Sequence, residues 1–360
     1  MSLSVLFFSP NSFSYSRLSQ IRKRTRFSKE AEDTVMTMML IDGQLREKPK
    51  SSDGQHHQLS SDIRNWIEAE STAPFPAEAT RYHLYTSHAC PWCHRVMVMR
   101  ALMGLENVIS VSEMHPFRGD KGWRIEPALL DETAGVPKDT FLYEAYLRAN
   151  PNYTGPISVP LLIDKKTGQI VSNNSADIMR MLNRSFGAFA GSSADFYPAE
   201  LAGQIDQLAD YIQAHVNSGV YKAGFASTQA AYDEAVRDLF DALDVLDQRL
   251  ERQRYLLGDS LTEVDWKLFV TLIRFDAVYV THFKTDLKRL SDFTNLSPYL
   301  RELYQIPGIA GTVNFQRMRE HYFRSHLHLN PNGIVSIGPQ LDLSKPHGRE
   351  HVGVYQKGAA

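Results

Sequence analysis

Both cysteines of this 360-residue chain lie in one short stretch, "SHACPWCHR", residues 87–95. The spacing of Cys90 and Cys93 suits three chemistries: dithiol–disulfide exchange, shared ligation of a metal or cluster, or one working thiolate beside a sulfur that only packs. Their number narrows the field, since two thiols can build neither a disulfide framework nor a four-cysteine zinc site. Their scarcity also suits a reducing compartment. Which chemistry holds depends on the elements that carry the thiols.

"RYHLYTS" reads as a strand, with Tyr82, Leu84 and Thr86 alternating with His83 and Tyr85 in a β-branched and aromatic run. "ACPWCHRVMVMRALMGL" then reads as a helix. Pro91 fits its first turn, where a missing N–H matters least, and Val96, Met99, Arg100 and Met103 recur at helical spacing up to Gly104. Cys90 thereby stands where a strand hands over to a helix. Unpaired N–H groups and the positive end of the helix dipole favour thiolate there, and Cys93 rides one turn later.

"NVISVSEM" supplies a second strand, "ISVPLLID" a third, "KKTG" a hairpin turn and "QIVSN" its returning partner. Between them, His115 to Pro156 is rich in turn residues and reads as an elaborated insertion or lid. Ser175 opens the helix "SADIMRMLNRSF", with Ile178, Met181 and Leu182 on one face. The order β-α-β-insert-β-β-α is that of thioredoxin. From Phe196 onward the chain reads as long helices, "ELAGQIDQLADYIQAHVNSGVY", "TQAAYDEAVRDLFDALDVLDQRLERQ" and "TEVDWKLFVTLIRFDAVYV". Thr262 and Asp265 open the last of these with a capping arrangement suited to a buried helix.

The fold class expected is an α/β thioredoxin-like N-terminal domain followed by an all-α C-terminal domain. The expected boundaries are a disordered leader and arm over 1–60, a thioredoxin-like domain with an insertion over 61–190, a helical substrate domain over 191–335 and a coil over 336–360. A formal net charge of -2 argues against nucleic acid as a partner, and no apolar run reaches the roughly 20 residues of a membrane span. Met1 to Lys29 lacks Asp and Glu and carries Arg22, Lys23, Arg24 and Arg26. It resembles an organelle transit peptide; a disordered leader or a start at Met36, Met38 or Met39 is the other reading. The location expected is cytoplasmic, or a plastid or mitochondrion if the leader is an address.

The strings "RYHLYTSHACPWCHR", "GWR", "ANPNYTG", "VPLLIDKKTGQIVSNNSADIMRMLN", "VNSGVYKAGFA", "RFDAVYVTHFK" and "HYFRSHLHLNPNGI" resemble the glutathionyl-hydroquinone reductases, the Xi class of the glutathione transferases, over about residues 60–345. The resemblance implies the glutathione transferase fold, glutathione as co-substrate, no metal, aromatic hydroquinone conjugates as partners and a homodimer. It implies that the Cys90 thiolate attacks the sulfur of a glutathionyl-hydroquinone and that a second glutathione resolves the mixed disulfide. Cys93 stands where this family commonly has a small non-thiol residue. Passive packing is the reading adopted for it, with a resolving thiol or shared ligation as alternatives. Trp92 is expected to shape the turn and Arg95 to be a salt-bridged helix arginine, while His88 and His94 are left out of the catalytic set.

For glutathione the resemblance implies Trp123 over the peptide backbone, Arg124 at the glycyl carboxylate, and Val159 before a cis Pro160 against the cysteinyl main chain. Ser175 is expected at the γ-glutamyl carboxylate, as a helix start. Asn174 replaces a common acidic residue and Pro156 a frequent arginine; Asn174→Glu is expected to tighten glutathione. Tyr221 and Tyr322 match catalytic tyrosines at the ring pocket, with Tyr279 a third substrate-binding candidate. Two alternatives stand beside this function: a dithiol disulfide oxidoreductase using Cys90 and Cys93, and a non-catalytic glutathione-fold binding protein.

Overall fold

The computed structural model describes residues 38–47, 63–129 and 135–352. The basic leader and most of the polar arm lie outside these residues. Residues 38–47, expected in a disordered arm, instead form an antiparallel hairpin of β1 (Met38–Ile41) and β2 (Gln44–Glu47). Its other neighbour is β5 (Gly155–Pro156), far along the chain, so no local pattern announces the pairing. Leu40 is fully buried, and Gly43, at φ 73°, donates its N–H to the Tyr153 carbonyl at 3.1 Å. A Cβ at Gly43 would lie 2.1 Å from the Pro151 oxygen, so the turn requires glycine.

The main sheet runs in the order β4 (Ser110–Glu113), β3 (Tyr82–Thr86), β6 (Leu161–Asp164), β7 (Ile170–Ser172), with β3 parallel to β4 and antiparallel to β6. Every residue of β3 is buried, although its sequence alternates, because both faces of the sheet are covered. Tyr82 and Leu84 enter the core built by α1 (Pro91–Leu102) and α3 (Ser175–Arg184). Tyr85, Leu161 and Ile163 instead meet Leu142, Ala145 and Tyr146 of α2 (Leu142–Ala149), which lies inside the expected insertion. The insertion is therefore partly a second wall of the core.

The helical half comprises α4 (Ala202–Tyr211), α5 (Gly219–Gly224), α6 (Gln229–Arg252), α7 (Glu263–Arg274), α8 (Val280–His282), α9 (Leu296–Tyr304) and α10 (Phe315–Ser325). Two of the long helices read from the sequence are broken by π-helical turns, at Ile212–Asn217 and Phe275–Tyr279. The Asn217 side chain, at the end of the first turn, donates to the Lys267 carbonyl and accepts from the Thr271 hydroxyl. Beyond α10 the chain is irregular and folds back. Buried Arg349 donates there to Glu302 and to the Leu250, Gln253 and Arg254 carbonyls. No helix among the described residues is long and apolar enough to cross a membrane.

α7 is the central element, buried from its first residue to its last and packed on α1. Its start depends on Asp265, whose carboxylate accepts from the Thr262 N–H (2.9 Å), the Thr262 hydroxyl (3.1 Å), the Leu256 N–H (2.9 Å) and the Tyr299 hydroxyl (2.7 Å). Asp265→Ala would leave these buried donors unmatched. A loss of about 3 kcal/mol is expected in denaturant unfolding; a loss below about 1 kcal/mol would refute this role.

Candidate active site

Cys90 is the N-cap of α1, and its Sγ accepts the Cys93 N–H at 3.4 Å. As a thiol it donates to the Val159 carbonyl at 3.7 Å. Burial pushes the Cys90 pKa up. The Cys93 thiol and N–H, the Arg274 guanidinium and the Trp92 N–H outweigh that, and the result lies below the ordinary thiol value. Cys93 is fully buried, and burial together with the neighbouring Cys90 drives its pKa well above that value. The two sulfurs of the first turn are thus driven apart, Cys90 toward the thiolate and Cys93 away from it.

Arg274, at the end of α7, escaped the sequence reading. Its guanidinium is fully buried and donates to the His88 carbonyl (2.7 Å), the Ala89 carbonyl (3.1 Å), the Val270 carbonyl (2.7 Å) and His94 Nδ1 (2.9 Å). None of these acceptors is charged, and no described carboxylate meets it. Arg274 therefore shapes the turn that presents Cys90 and supplies a positive charge that a thiolate at Cys90 can answer. His94 is held neutral, its pKa pushed well down by burial and by Arg274. Its Nδ1 lone pair faces Arg274 and its Nε2–H donates to Thr312 at 2.9 Å, so it has no free lone pair to act as a base. The available signal was a lone arginine closing the apolar run "LFVTLIR".

At the other expected end of glutathione, Arg95 is not salt-bridged. Its Nε and a terminal nitrogen donate to the Ser175 hydroxyl at 3.0 and 2.5 Å, its ring partner is Trp92 at 5.1 Å, and burial lowers its pKa to about 10. With its lone pairs so engaged, the Ser175 hydroxyl is left to donate. The N-cap of α3 is Asn174 rather than Ser175: its Oδ1 accepts from the Ala176 and Asp177 N–H groups at 3.0 and 3.2 Å. Capping thus engages the Asn174 side chain, so Asn174→Glu would remove a cap as well as add a charge. The Val159–Pro160 peptide is cis.

Trp123 is buried, its indole stacked on His321 of α10 at 5.1 Å. Arg124 is exposed and has no side-chain partner among the described residues, so it stands apart from this cluster.

The three tyrosines converge from separate elements. Tyr221 of α5 and Tyr322 of α10 are 2.5 Å apart between hydroxyls, and Tyr279 of the π turn lies 3.1 Å from Tyr322. Burial raises all three pKa values, so each stays a protonated phenol. Trp92, two residues after Cys90, stacks on Tyr221 at 6.4 Å and joins the thiol to the trio. The π turn that carries Tyr279 begins directly after Arg274, so one element serves both ends of the site. Among the described residues no group of three or more His, Cys, Asp or Glu side chains could hold a metal ion.

The models of the glutathione S-transferase N-terminal and C-terminal domains match residues 89–185 and 229–302. Glutathionyl-hydroquinone reductase YqjG of Escherichia coli (strain K12) is 51% identical over 312 residues, 84% of this chain and 94% of that protein. Glutathionyl-hydroquinone reductase PcpF of Sphingobium chlorophenolicum is 42% identical over 85% of this chain and 97% of that protein. The chain belongs to the glutathionyl-hydroquinone reductase family. A solved Xi-class glutathione transferase from Natrialba magadii superposes with a TM-score of 0.83, at 44% identity over 89% of this chain and 98% of its own. The glutathione-bound structure of YqjG gives 0.78, at 48% identity over 86% and 98%.

Two expectations for this glutathionyl-hydroquinone reductase relative follow from its buried arginines. Arg274→Met, with Arg274→Lys as the folded control, should raise the pH at which Cys90 ionises and slow its alkylation near neutral pH about tenfold in the Met variant. An unchanged pH profile would exclude an electrostatic role. Arg95→Met should weaken glutathione binding about tenfold by freeing the Ser175 hydroxyl, as read by calorimetry, and an unchanged affinity would separate that pair from the ligand.

Proposed function

We propose that this chain is a glutathione-dependent reductase that removes glutathione from glutathionyl-hydroquinones. The observation that carries this reading is a buried cysteine at a helix start, its pKa below the ordinary thiol value, joined through Trp92 to a cluster of protonated tyrosines. The Cys90 thiolate attacks the conjugate's sulfur, the carbon–sulfur bond breaks, and its electron pair stays on the ring carbon, which takes a proton. A Cys90–glutathione mixed disulfide and a free hydroquinone result. The thiolate of a second glutathione then attacks that disulfide, releasing oxidised glutathione and restoring Cys90.

The tyrosine hydroxyls suit the ring end of this reaction. They are donors that do not ionise near neutral pH, and their mutual hydrogen bonds let one phenol donate while another supports it. Ser175, with its hydroxyl free to donate and its N–H at the first turn of α3, suits the γ-glutamyl carboxylate, and Val159 the cysteinyl main chain. The arrangement of Trp123 on α10 fits a wall over the peptide. We also carry the homodimer as a proposal, to be checked by light scattering, and a reducing compartment, since turnover consumes reduced glutathione.

Incubated with a glutathionyl-hydroquinone and glutathione, the wild-type chain should release hydroquinone and show by intact mass a glutathione adduct on Cys90. Cys90→Ser should abolish both. Cys93→Ala should keep turnover within about threefold; its loss, with the adduct persisting, would favour the dithiol oxidoreductase instead. No turnover by the wild-type chain would favour a binding protein. Tyr322→Phe should lower kcat about a hundredfold with little change in KM, and an unaltered kcat would remove it from the proton path.

A further inference from the structure

Arg118 lies on the loop after β4, in a place the mechanism above does not use. Two hydrogen bonds register this loop to α10, the helix that carries Tyr322. The Arg118 N–H donates to the Ser325 hydroxyl at 2.9 Å, and His321 Nδ1–H donates to the Pro116 carbonyl at 2.8 Å. The guanidinium itself sits 5.5 Å from the centre of the Trp123 ring, the same indole that stacks on His321.

The Arg118 side chain is half-buried, and no described carboxylate meets it. The opposite charge in its electrostatic reach is Cys90. The nearby histidines add no competing positive charge: burial pushes His321 down to about 4 and His326 further, with Arg118 adding to both. A guanidinium drawn partly out of water, 5.5 Å from an indole centre and without a described carboxylate partner, is placed to receive an anion. The position expected to take a carboxylate, Arg124, is exposed.

We propose that Arg118, braced on Trp123, binds a second carboxylate in the substrate site, apart from the γ-glutamyl carboxylate assigned to Ser175. Two carboxylates have the right chemistry: the glycyl carboxylate of glutathione, or an acid group on the hydroquinone ring. The proposal rests on the reading of Cys90 as the nucleophile for such conjugates.

The test is equilibrium binding by calorimetry, which does not depend on turnover. Wild-type, Arg118→Gln and Arg118→Lys proteins would be titrated with glutathione, glutathione amidated at its glycyl carboxylate, hydroquinone and dihydroxybenzoate. A glycyl source is shown if Arg118→Gln weakens glutathione about tenfold or more, leaves the amide unchanged, and is partly rescued by lysine. A ring source is shown if the same pattern separates dihydroxybenzoate from hydroquinone. Equal changes in the acidic and neutral member of both pairs, or no change in any, would overturn the proposal. Loss of conjugate turnover in the wild-type protein would count against the proposed function and would leave this comparison standing.

Discussion

A guanidinium buried without a carboxylate is a demanding object, and much of this molecule is arranged around one. Arg274 has its charge dispersed over three carbonyls and an imidazole, and that charge helps to lower the Cys90 pKa. The turn at residues 88–90 can take only a shape that keeps those carbonyls in reach. The helix bearing Arg274 must enter the core at a fixed point, which the Asp265 cap provides. The lowered Cys90 pKa is thus in part a property of contact between the helical half and the sheet half.

The asymmetry of the two thiols follows from the same geometry. Both are buried and both lie in the first turn of α1, so burial acts against ionisation in each. At the N-cap the Cys93 and Trp92 N–H groups and the arginine charge outweigh burial, whereas the Ser87 N–H and Thr86 hydroxyl near Cys93 do not. Once one sulfur carries the negative charge, the second is held as a neutral donor beside it. A Cys-x-x-Cys motif therefore need not operate as an equal pair.

Local features were legible in the residues. Pro91 after Cys90 marked the junction, and the Thr262–Asp265 spacing marked a buried helix start. The three tyrosines could be found only through resemblance, because nothing in their spacing distinguishes them from other tyrosines. Features that depend on distant pairing were not legible: Arg95 reaching Ser175, Arg274 reaching the carbonyls before Cys90, and β1 finding β5. Asn174 and Ser175 are both good caps, and sequence alone does not rank neighbours when either could take the first-turn N–H groups. The π turns were hidden because an inserted residue leaves helical composition unchanged.

The hairpin at residues 38–47 carries a consequence for what counts as the minimal enzyme. The strings that carry the family resemblance begin near residue 60, but hydrogen bonding draws the edge of the glutathione-binding half earlier. β1 is the neighbour of Gly155–Pro156, and only a few residues separate that strand from the Val159 carbonyl beside Cys90. A chain trimmed to residue 60 would keep every residue assigned to the site and lose the brace on the segment that delivers Val159. The working unit is accordingly larger than the stretch those strings mark, and described structure starts well before them.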